Sequence, residues 1–161
     1  MEIRTPINTD EWSQYYDLRY RVLRQPWNQP VGSERDALED QAKHFAAFEE
    51  ANLIGVGRLD HVEARIYQIR FMAVEPGCQS KGIGASLMKA IEMDAWNSGA
   101  VEIILHAREQ ALGFYQKLGY ALVEPSHLLF GEIQHFLMTL AILDTNHKTP
   151  TAAAATALGL A

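Results

Sequence analysis

The chain has 161 residues, and 48% of them are hydrophobic, which is enough for the core of one globular domain and too many for a disordered protein. Its formal net charge of −6 argues against a nucleic-acid partner, which a basic patch or stripe would recognise. No segment approaches the ~18 consecutive apolar residues of a membrane span. The first residues lack an apolar signal-peptide core, and the single cysteine, Cys78, cannot form an internal disulfide. We therefore expect one cytoplasmic domain without a membrane partner.

The first forty residues predict a helix followed by a loop. Asn8 with Glu11 three residues later resembles a helix-opening capping box, and the helix should end before Pro26. The loop at 25–32 contains Trp27, which either anchors the loop to the core or forms part of a substrate wall. Residues 33–41 predict a short charged helix.

The remaining elements are predicted from hydrophobic periodicity and from glycine and proline positions. Residues 144–161, rich in alanine and threonine, predict a poorly ordered tail after a domain at 1–143. In chain order, we expect first a hairpin of strands at 44–48 and 53–59 and then a strand at 65–74. Two helices follow, at 82–98 and 109–118, with a buried strand at 101–105 between them. The last strands are expected at 121–124 and 135–140, separated by a loop at 125–134.

A glycine-rich loop follows the strand that ends at Val74. After a Pro-Gly turn it reads Gln79-Ser80-Lys81-Gly82-Ile83-Gly84 and runs into the next helix. The two glycines allow a tight turn and a close approach of the backbone to a ligand. The first N–H groups of the helix, together with its dipole, suit a phosphate or pyrophosphate. The spacing differs from that of a P-loop and from G-x-G-x-x-G.

This loop resembles the acetyl-CoA loop of the GNAT superfamily of N-acetyltransferases, Gln/Arg-x-x-Gly-x-Gly/Ala. A second block, Ala111, Phe114, Tyr115, Lys117, Gly119 and Tyr120, is similar to the superfamily segment A-x-x-F-Y-x-K-x-G-[FY]. The resemblance spans roughly residues 3 to 143 and implies the GNAT fold, an α/β (α+β) architecture. That fold has a central mixed, mostly antiparallel sheet of six to seven strands, flanked by about four helices and splayed between strands 4 and 5.

The resemblance implies an acetyl-CoA-dependent N-acetyltransferase that needs no metal. A primary amine of a small molecule or peptide attacks the thioester directly in a ternary complex, and backbone groups of the strand before the loop polarise the acetyl carbonyl. The residues implied to bind acetyl-CoA are Met72, Ala73, Val74, Gln79, Ser80, Lys81, Gly82, Ile83, Gly84, Ala85, Phe114 and Lys117.

Tyr115 is the implied proton donor to the leaving thiolate, because a phenol with a pKa near ~10 is protonated at neutral pH. Packing against the cofactor is its alternative role, and its neighbour Phe114 is expected in the core. The residue that deprotonates the amine stays open, with His106 and His135 the preferred candidates. The other candidates for the base are Asp60, His61 and, with a low rank, Glu75.

The acceptor site is expected near Trp27 and His61. The acids Glu34, Asp36, Glu39 and Asp40 can attract an amine, although a charged segment is more often a solvated face. The sequence departs from many family members after the fifth strand, where they carry an asparagine that holds the pantetheine and this chain has His106-Ala107-Arg108. Arg108 or the backbone can replace that contact.

Three other functions stay open beside acetylation of an amine. The chain can transfer another acyl group, modify a protein amine, or bind acyl-CoA without turnover as a sensor or scaffold. A homodimer is possible because related proteins often pair through their late strands. The identity of the acceptor cannot be read from the irregular segments 25–41 and 125–134.

Overall fold

The computed structural model describes residues 1–142, and the tail predicted at 144–161 lies outside them. No helix in this described part is long and apolar enough to cross a membrane. The elements are strand β1 Glu2–Arg4, helix α1 Thr9–Leu23, strands β2 Lys43–Glu49, β3 Asn52–Glu63 and β4 Ile66–Val74, helix α2 Ile83–Asn97, strand β5 Glu102–Arg108, helix α3 Leu112–Lys117, and strands β6 Ala121–Leu129 and β7 Ile133–Ala141, with short 3-10 turns at Gln25–Trp27, Pro76–Cys78 and Glu109–Ala111.

The seven strands form one sheet in the order β1-β2-β3-β4-β5-β7-β6. The pairs β1–β2, β2–β3, β5–β7 and β6–β7 are antiparallel, and β4–β5 is parallel. The predicted mixed, mostly antiparallel α/β sheet is therefore confirmed. The β4–β5 ladder begins at Ile66↔Glu102 and ends at Gln68↔Ile104, near the start of both strands, as the predicted splay requires.

Two of the predicted elements are wrong. Residues 33–41 form turns rather than a helix, because the side chains of Asp36 and Glu39 accept hydrogen bonds from nearby backbone N–H groups and so compete with helical bonding. The predicted loop at 125–134 shrinks to residues 130–132, because β6 continues to Leu129. Its ladder with β7 shifts register twice, at Leu122/Glu124 and at Pro125/Leu128.

The chain divides into two compact units. The N-terminal unit contains Met1–Asp60 and Ile69–Asp94, and the C-terminal unit contains His61–Gln68 and the chain from Ala95 onward. In the N-terminal unit, α1 packs its buried Tyr15 and Leu18 into a cluster with Phe48, Leu53, Val56 and Ala73. In the C-terminal unit, β5 and β7 supply the buried residues Ile103, Ile104, Leu137 and Met138.

Helix α1 begins at the capping residue that the sequence predicts. The Asn8 side chain accepts a hydrogen bond from the Glu11 N–H at 2.9 Å. In an ordinary capping box the Glu11 carboxylate would accept from the N–H of the N-cap residue. Here it accepts from the Ile7 N–H at 2.8 Å and from Arg4 through two hydrogen bonds of 2.7 and 2.9 Å. These bonds fix the connection from β1 into α1.

Glycines in β3 allow α2 to lie close against the sheet. A Cβ built on Gly55 would lie 2.7 Å from Leu87 Cδ1 and 3.1 Å from Ile83 Cγ2. Leu87 is fully buried and Ile83 nearly so, so neither side chain has free space into which it can move. The first turns of α2, which follow the glycine-rich loop, are thus seated directly on β3.

We expect the substitution Gly55→Ala to lower the free energy of unfolding by about 1–3 kcal/mol, because the added methyl overpacks the contact with Leu87. Gly113→Ala is the matched control, since a Cβ there meets nothing within 4 Å and alanine favours the helix. Urea unfolding of both variants measures the difference. Equal stability of the two variants would contradict the close seating of α2.

Candidate active site

Strand β4 carries a backbone irregularity just before the segment that the resemblance assigns to the acetyl carbonyl. Phe71 has φ +54°, in the left-handed region that non-glycine residues seldom adopt. Arg70 forms ion pairs with Asp36 and Asp60, and the Phe71 ring contacts Arg58 of the same ion-pair group. Two consecutive side chains therefore approach one cluster, where a regular strand would point them to opposite faces. Nothing in the sequence signals this, because Phe71 is neither glycine nor asparagine.

The glycine-rich loop has the geometry of an anion cradle. Gly82 has φ +78°, and a Cβ built there meets nothing within 4 Å, so open space borders the backbone. Ser80 is also left-handed, at φ +69°. Helix α2 begins at Ile83 and carries no acidic residue in its first turn, so no carboxylate of that turn competes for its first N–H groups. These features fit a pyrophosphate group.

The turn between β4 and the loop is fixed from both sides. The Glu75 N–H donates to the Ile54 carbonyl at 2.9 Å, and the Cys78 N–H donates to the Glu75 carbonyl at 2.8 Å. The Glu75 carboxylate accepts two hydrogen bonds of 2.9 Å from the Arg21 guanidinium of α1, which hold the pKa of Glu75 below its usual value. A carboxylate bound in this way is a poor proton acceptor, which agrees with the low rank of Glu75 as a base.

A buried ion-pair cluster lies beside Phe71, and we call it the Arg58 cluster. Arg58 is fully buried and binds three carboxylates. Its guanidinium forms paired hydrogen bonds with Asp60, at 2.8 and 2.7 Å, and with Asp36, at 2.8 and 2.9 Å, and a further bond of 2.9 Å with Glu39. The cluster also contains Arg19, which donates to Glu39 at 2.7 Å, and Arg70.

The Arg58 cluster changes how two sequence predictions are interpreted. Asp36 and Glu39 were candidates to attract an amine, and Asp60 was a candidate base. All three carboxylates instead bind arginine, so none is a free acceptor for an amine or its proton. Burial alone would raise the pKa of Asp36, but hydrogen bonds from Arg58 and from the Leu38 N–H outweigh it and lower that pKa.

His44 of β2 has a structural role, as its place after Glu39 and Asp40 in the sequence also indicates. It is 7% exposed, its Nε2 donates to the Glu39 carbonyl at 2.7 Å, and its Nδ1 lies 3.0 Å from the Tyr15 hydroxyl. Burial lowers the pKa of His44, and the charges of Arg19 and Arg58 add to that effect. The imidazole is therefore neutral at pH 7 and links α1 to the turns at 33–41.

Tyr115 lies in α3 of the C-terminal unit and is buried, with 9% of its surface exposed. Burial raises its pKa to about 12, and the positive charge of Arg108 opposes that rise. The phenol therefore keeps its proton throughout the physiological pH range.

The prediction that Phe114 lies in the core is wrong, since it is 39% exposed. Its ring packs edge-on against the ring of Tyr115, at 5.0 Å between ring centroids.

Three histidines meet on neighbouring strands of the C-terminal unit. His106 of β5 pairs with Leu137 of β7, so His135, two residues away in β7, shares its face of the sheet. His127 of β6 connects the two, with ring centroids 5.3 Å from His106 and 4.4 Å from His135, and it stacks on His135 at an interplanar angle of 13°. His135 Nδ1 also lies 2.9 Å from the Ile133 carbonyl.

The sequence analysis missed His127 because it placed that residue in a loop. The only available signal was a third histidine within thirty residues of the other two, which alone carries little weight. Among residues 1–142, no group of His, Cys, Asp and Glu side chains has an arrangement that could hold a metal ion.

The two residues assigned to the acceptor site occupy different environments. Trp27 is half-buried at the end of the Gln25–Trp27 turn, and its N–H donates to the Arg24 carbonyl at 3.1 Å. His61 is exposed; its Nε2 lies 2.7 Å from the Ala64 carbonyl, and its ring stacks on Tyr67 at 4.8 Å. His61 is thus engaged in the β3–β4 turn, and its assignment to the acceptor stays a prediction.

A family model described as an acetyltransferase (GNAT) domain matches residues 22–142. The chain belongs to the GNAT acetyltransferase family. It is 29% identical over 131 residues to the uncharacterized N-acetyltransferase YjcF of Bacillus subtilis, a match that covers 81% of this chain and 93% of that protein. Membership identifies the chain as an acyltransferase enzyme and confirms the resemblance inferred from its two sequence blocks.

Solved GNAT structures share this fold at low sequence identity. An aminoglycoside 6'-N-acetyltransferase complexed with coenzyme A superposes with a TM-score of 0.76 at 18% identity, over 94% of this chain and 100% of that chain. An acetyltransferase of Bacillus subtilis in complex with CoA gives 0.67 at 19% identity, over 88% of this chain and 97% of that one. Both proteins bind coenzyme A.

We expect Arg58→Met to lower the free energy of unfolding by about 3–5 kcal/mol, because it leaves the carboxylates of Asp36, Asp60 and Glu39 without their shared guanidinium. Arg21→Met is the control, because that guanidinium is 37% exposed and its ion pairs contribute no more than about 1 kcal/mol. Urea unfolding at pH 7 measures both values.

The pH dependence gives a second test of the Arg58 cluster. The pKa of Asp36 is lower in the folded protein than in the unfolded chain. The ionised Asp36 carboxylate therefore stabilises the folded state fully above its unfolded-state pKa, and this stabilisation is lost as the pH falls through its folded-state pKa. The stability gap between the wild type and Arg58→Met should therefore narrow at acid pH. A gap that stays constant down to pH 3 would show that ion pairing does not cause it.

Proposed function

We propose that this chain is an acetyl-CoA-dependent N-acetyltransferase that acetylates a primary amine of a small molecule or peptide. The observation that carries the proposal is the cradle at Gly82, a left-handed glycine bordered by open space at the start of a helix that lacks acids in its first turn. Family membership and CoA-bound neighbours of the same fold support it. When bound, acetyl-CoA supplies an acetyl group activated as a thioester.

In this proposal the loop and β4 bind the cofactor. The backbone N–H groups of Gly82, Gly84 and Ala85 take the pyrophosphate, and exposed Lys81 adds a positive charge beside them. The side chain of Ala73 packs in the core, so this strand offers backbone groups rather than side chains. Backbone N–H groups at Met72–Val74 then stabilise negative charge on the acetyl oxygen. Phe114 and Lys117, both exposed on α3, are the other proposed contacts.

Tyr115 is the proposed proton donor. Its buried phenol holds its proton on the hydroxyl oxygen to a pH of about 12, so it can donate a hydrogen bond to a thiolate at neutral pH. For the base we propose the histidine group, with His106 or His135 taking the proton of the amine and His127 fixing the ring of His135 by stacking. A cytoplasmic location and a homodimer stay predictions.

We expect Tyr115→Phe to reduce kcat by tenfold or more while acetyl-CoA binding is unchanged, because only the proton donor is removed. Tyr67→Phe is the control, since that exposed hydroxyl forms only a 3.4 Å hydrogen bond to the Ser98 carbonyl. A free-thiol assay measures turnover and calorimetry measures binding. Full activity in Tyr115→Phe would remove the acid role, and binding without turnover in the wild type would favour the sensor alternative.

We expect Gly82→Trp to abolish calorimetric binding of acetyl-CoA, because the indole fills the open space beside the loop. Gly99→Trp is a matched control: it has a similarly left-handed backbone, at φ +96°, and equally open surroundings, but it lies at the end of α2 rather than in the loop. Both variants carry comparable backbone strain. If Gly82→Trp bound acetyl-CoA normally, the cofactor site would lie elsewhere.

A further inference from the structure

Arg70 holds the least neutralised guanidinium of the Arg58 cluster. Its Nη1 lies 3.3 Å from Asp36 Oδ2 and 3.9 Å from Asp60 Oδ2. Its Nε and Nη2 groups have no acceptor within the part of the chain that the structure describes. The side chain is 23% exposed, so it is accessible to a small molecule from solvent.

The neighbouring carboxylates are already bound more tightly by another arginine. Both oxygens of Asp36 and both oxygens of Asp60 accept hydrogen bonds of 2.7–2.9 Å from Arg58. Arg70 therefore shares the carboxylates of Asp36 and Asp60 with Arg58, and their oxygens are positioned by their hydrogen bonds to Arg58. Its outer edge, Nε and Nη2, keeps the planar pair of donors that matches a carboxylate or phosphate.

The charge balance around Phe71 also favours an added anion. Four guanidinium carbons lie within 5.5 Å of the ring centroid, at 4.2 Å for Arg19, 4.7 Å for Arg58, 5.1 Å for Arg70 and 5.5 Å for Arg24. Burial and the charge of Arg58 lower the pKa of Arg70 even though Asp36 and Asp60 oppose this. An anion at the outer edge of Arg70 would offset this repulsion between Arg58 and Arg70 in a partly buried site.

The position of Arg70 along β4 links this charge to the proposed reaction. Arg70 precedes Met72 by two residues on the same strand, with the left-handed Phe71 between them. The backbone from Met72 onward is the proposed holder of the acetyl oxygen. A ligand bound to both points must therefore carry an anionic group as well as its amine.

We propose that the outer edge of Arg70 is an acceptor subsite that binds the acidic group of an amine substrate. The acceptor class is then an amine that also carries a carboxylate or a phosphate, such as an ω-amino acid. This inference rests on the proposed function for the place of reaction. It also differs from the sequence-based expectation that acids at 34–40 attract the amine, because Asp36 and Glu39 bind arginines.

The test compares acceptors that differ only in their anionic group. We would measure kcat/KM with acetyl-CoA for ω-amino acids from β-alanine to 6-aminohexanoate, for n-alkylamines of matched length, and for O-phosphoethanolamine. We expect an ω-amino acid or the phosphate to exceed its neutral counterpart by about tenfold to a hundredfold, the range of charge-assisted hydrogen bonds. The phosphate arm distinguishes the two kinds of anion.

Arg70→Gln should remove this preference and leave alkylamine turnover and acetyl-CoA binding unchanged. Arg70→Lys keeps the charge without the planar pair of donors and should retain only part of the preference for acidic acceptors. If Arg70→Gln does not fold, this partial loss in Arg70→Lys is the test of the subsite. Arg65→Gln is the control, since that exposed arginine donates to the Gly99 carbonyl. Calorimetric titration of the CoA complex with 6-aminohexanoate and with hexylamine gives a readout independent of turnover.

The outcomes separate the two proposals. If acetyl-CoA binds and amines turn over, but acids show no preference or Arg70→Gln affects both acceptor classes alike, the Arg70 subsite is wrong and the acetyltransferase proposal survives. If acetyl-CoA does not bind the wild-type protein, both proposals fail. Selective loss of the acidic acceptors in Arg70→Gln, with weaker calorimetric binding of 6-aminohexanoate, would support the subsite.

Discussion

The N-terminal unit depends on one buried positive charge. Arg58 has no exposed side-chain surface, and a guanidinium in that position is tolerated only if carboxylates surround it. Asp60 comes from the same strand, whereas Asp36 and Glu39 come from the irregular segment between α1 and β2. The need to neutralise Arg58 therefore holds that segment against the sheet without any regular secondary structure. Phe71 of β4 completes the arrangement by covering the arginines with its ring.

The Arg58 cluster and the glycine-rich loop both depend on the backbone path of strand β4. The left-handed residue Phe71 breaks the alternation of β4 just where side chains must meet the arginines. Beyond it, Ala73 is buried in the core and Glu75 is fixed by Arg21, so the strand leads into the loop on a defined path. A rigid approach of this kind suits a site that acts through backbone groups, because such groups can be aimed only by fixing the chain itself.

Local signals predicted the parts of the fold that local chemistry determines. The capping residue Asn8, the hairpin of β2 and β3, the helix that follows the glycine-rich loop and the end of α1 before Pro26 all follow from residue types at particular spacings. The family was evident from two short blocks. Periodicity failed where tertiary contacts decide the structure, as in segment 33–41, where arginines distant in sequence hold the acids.

The candidate site was predictable only where a motif marks it. The glycine-rich loop and Tyr115 were assigned to the candidate site because their neighbours form recognisable patterns. Phe71, Arg70 and Arg58 were missed, because no spacing in the sequence shows that residues 36, 58 and 70 meet. His127 was missed for another reason: β6 shifts register twice around Pro125, and this hides a strand that the pattern presents as a loop. Phe114 was assigned to the core because its α3 neighbours are apolar, although its own side chain faces solvent.

The division of the chain into units has a consequence for its synthesis. The N-terminal unit is complete at Asp94, apart from the eight residues at 61–68 that it lends to the other unit. All the ion pairs of the Arg58 cluster, and the whole glycine-rich loop, lie within it. Residues 95–142 take roughly 2 to 10 s to translate at ~5–20 residues per second. The half that holds the glycine-rich loop can therefore fold on the ribosome before the half that holds Tyr115 has emerged, so the proposed cofactor cradle forms before the proposed proton donor is present.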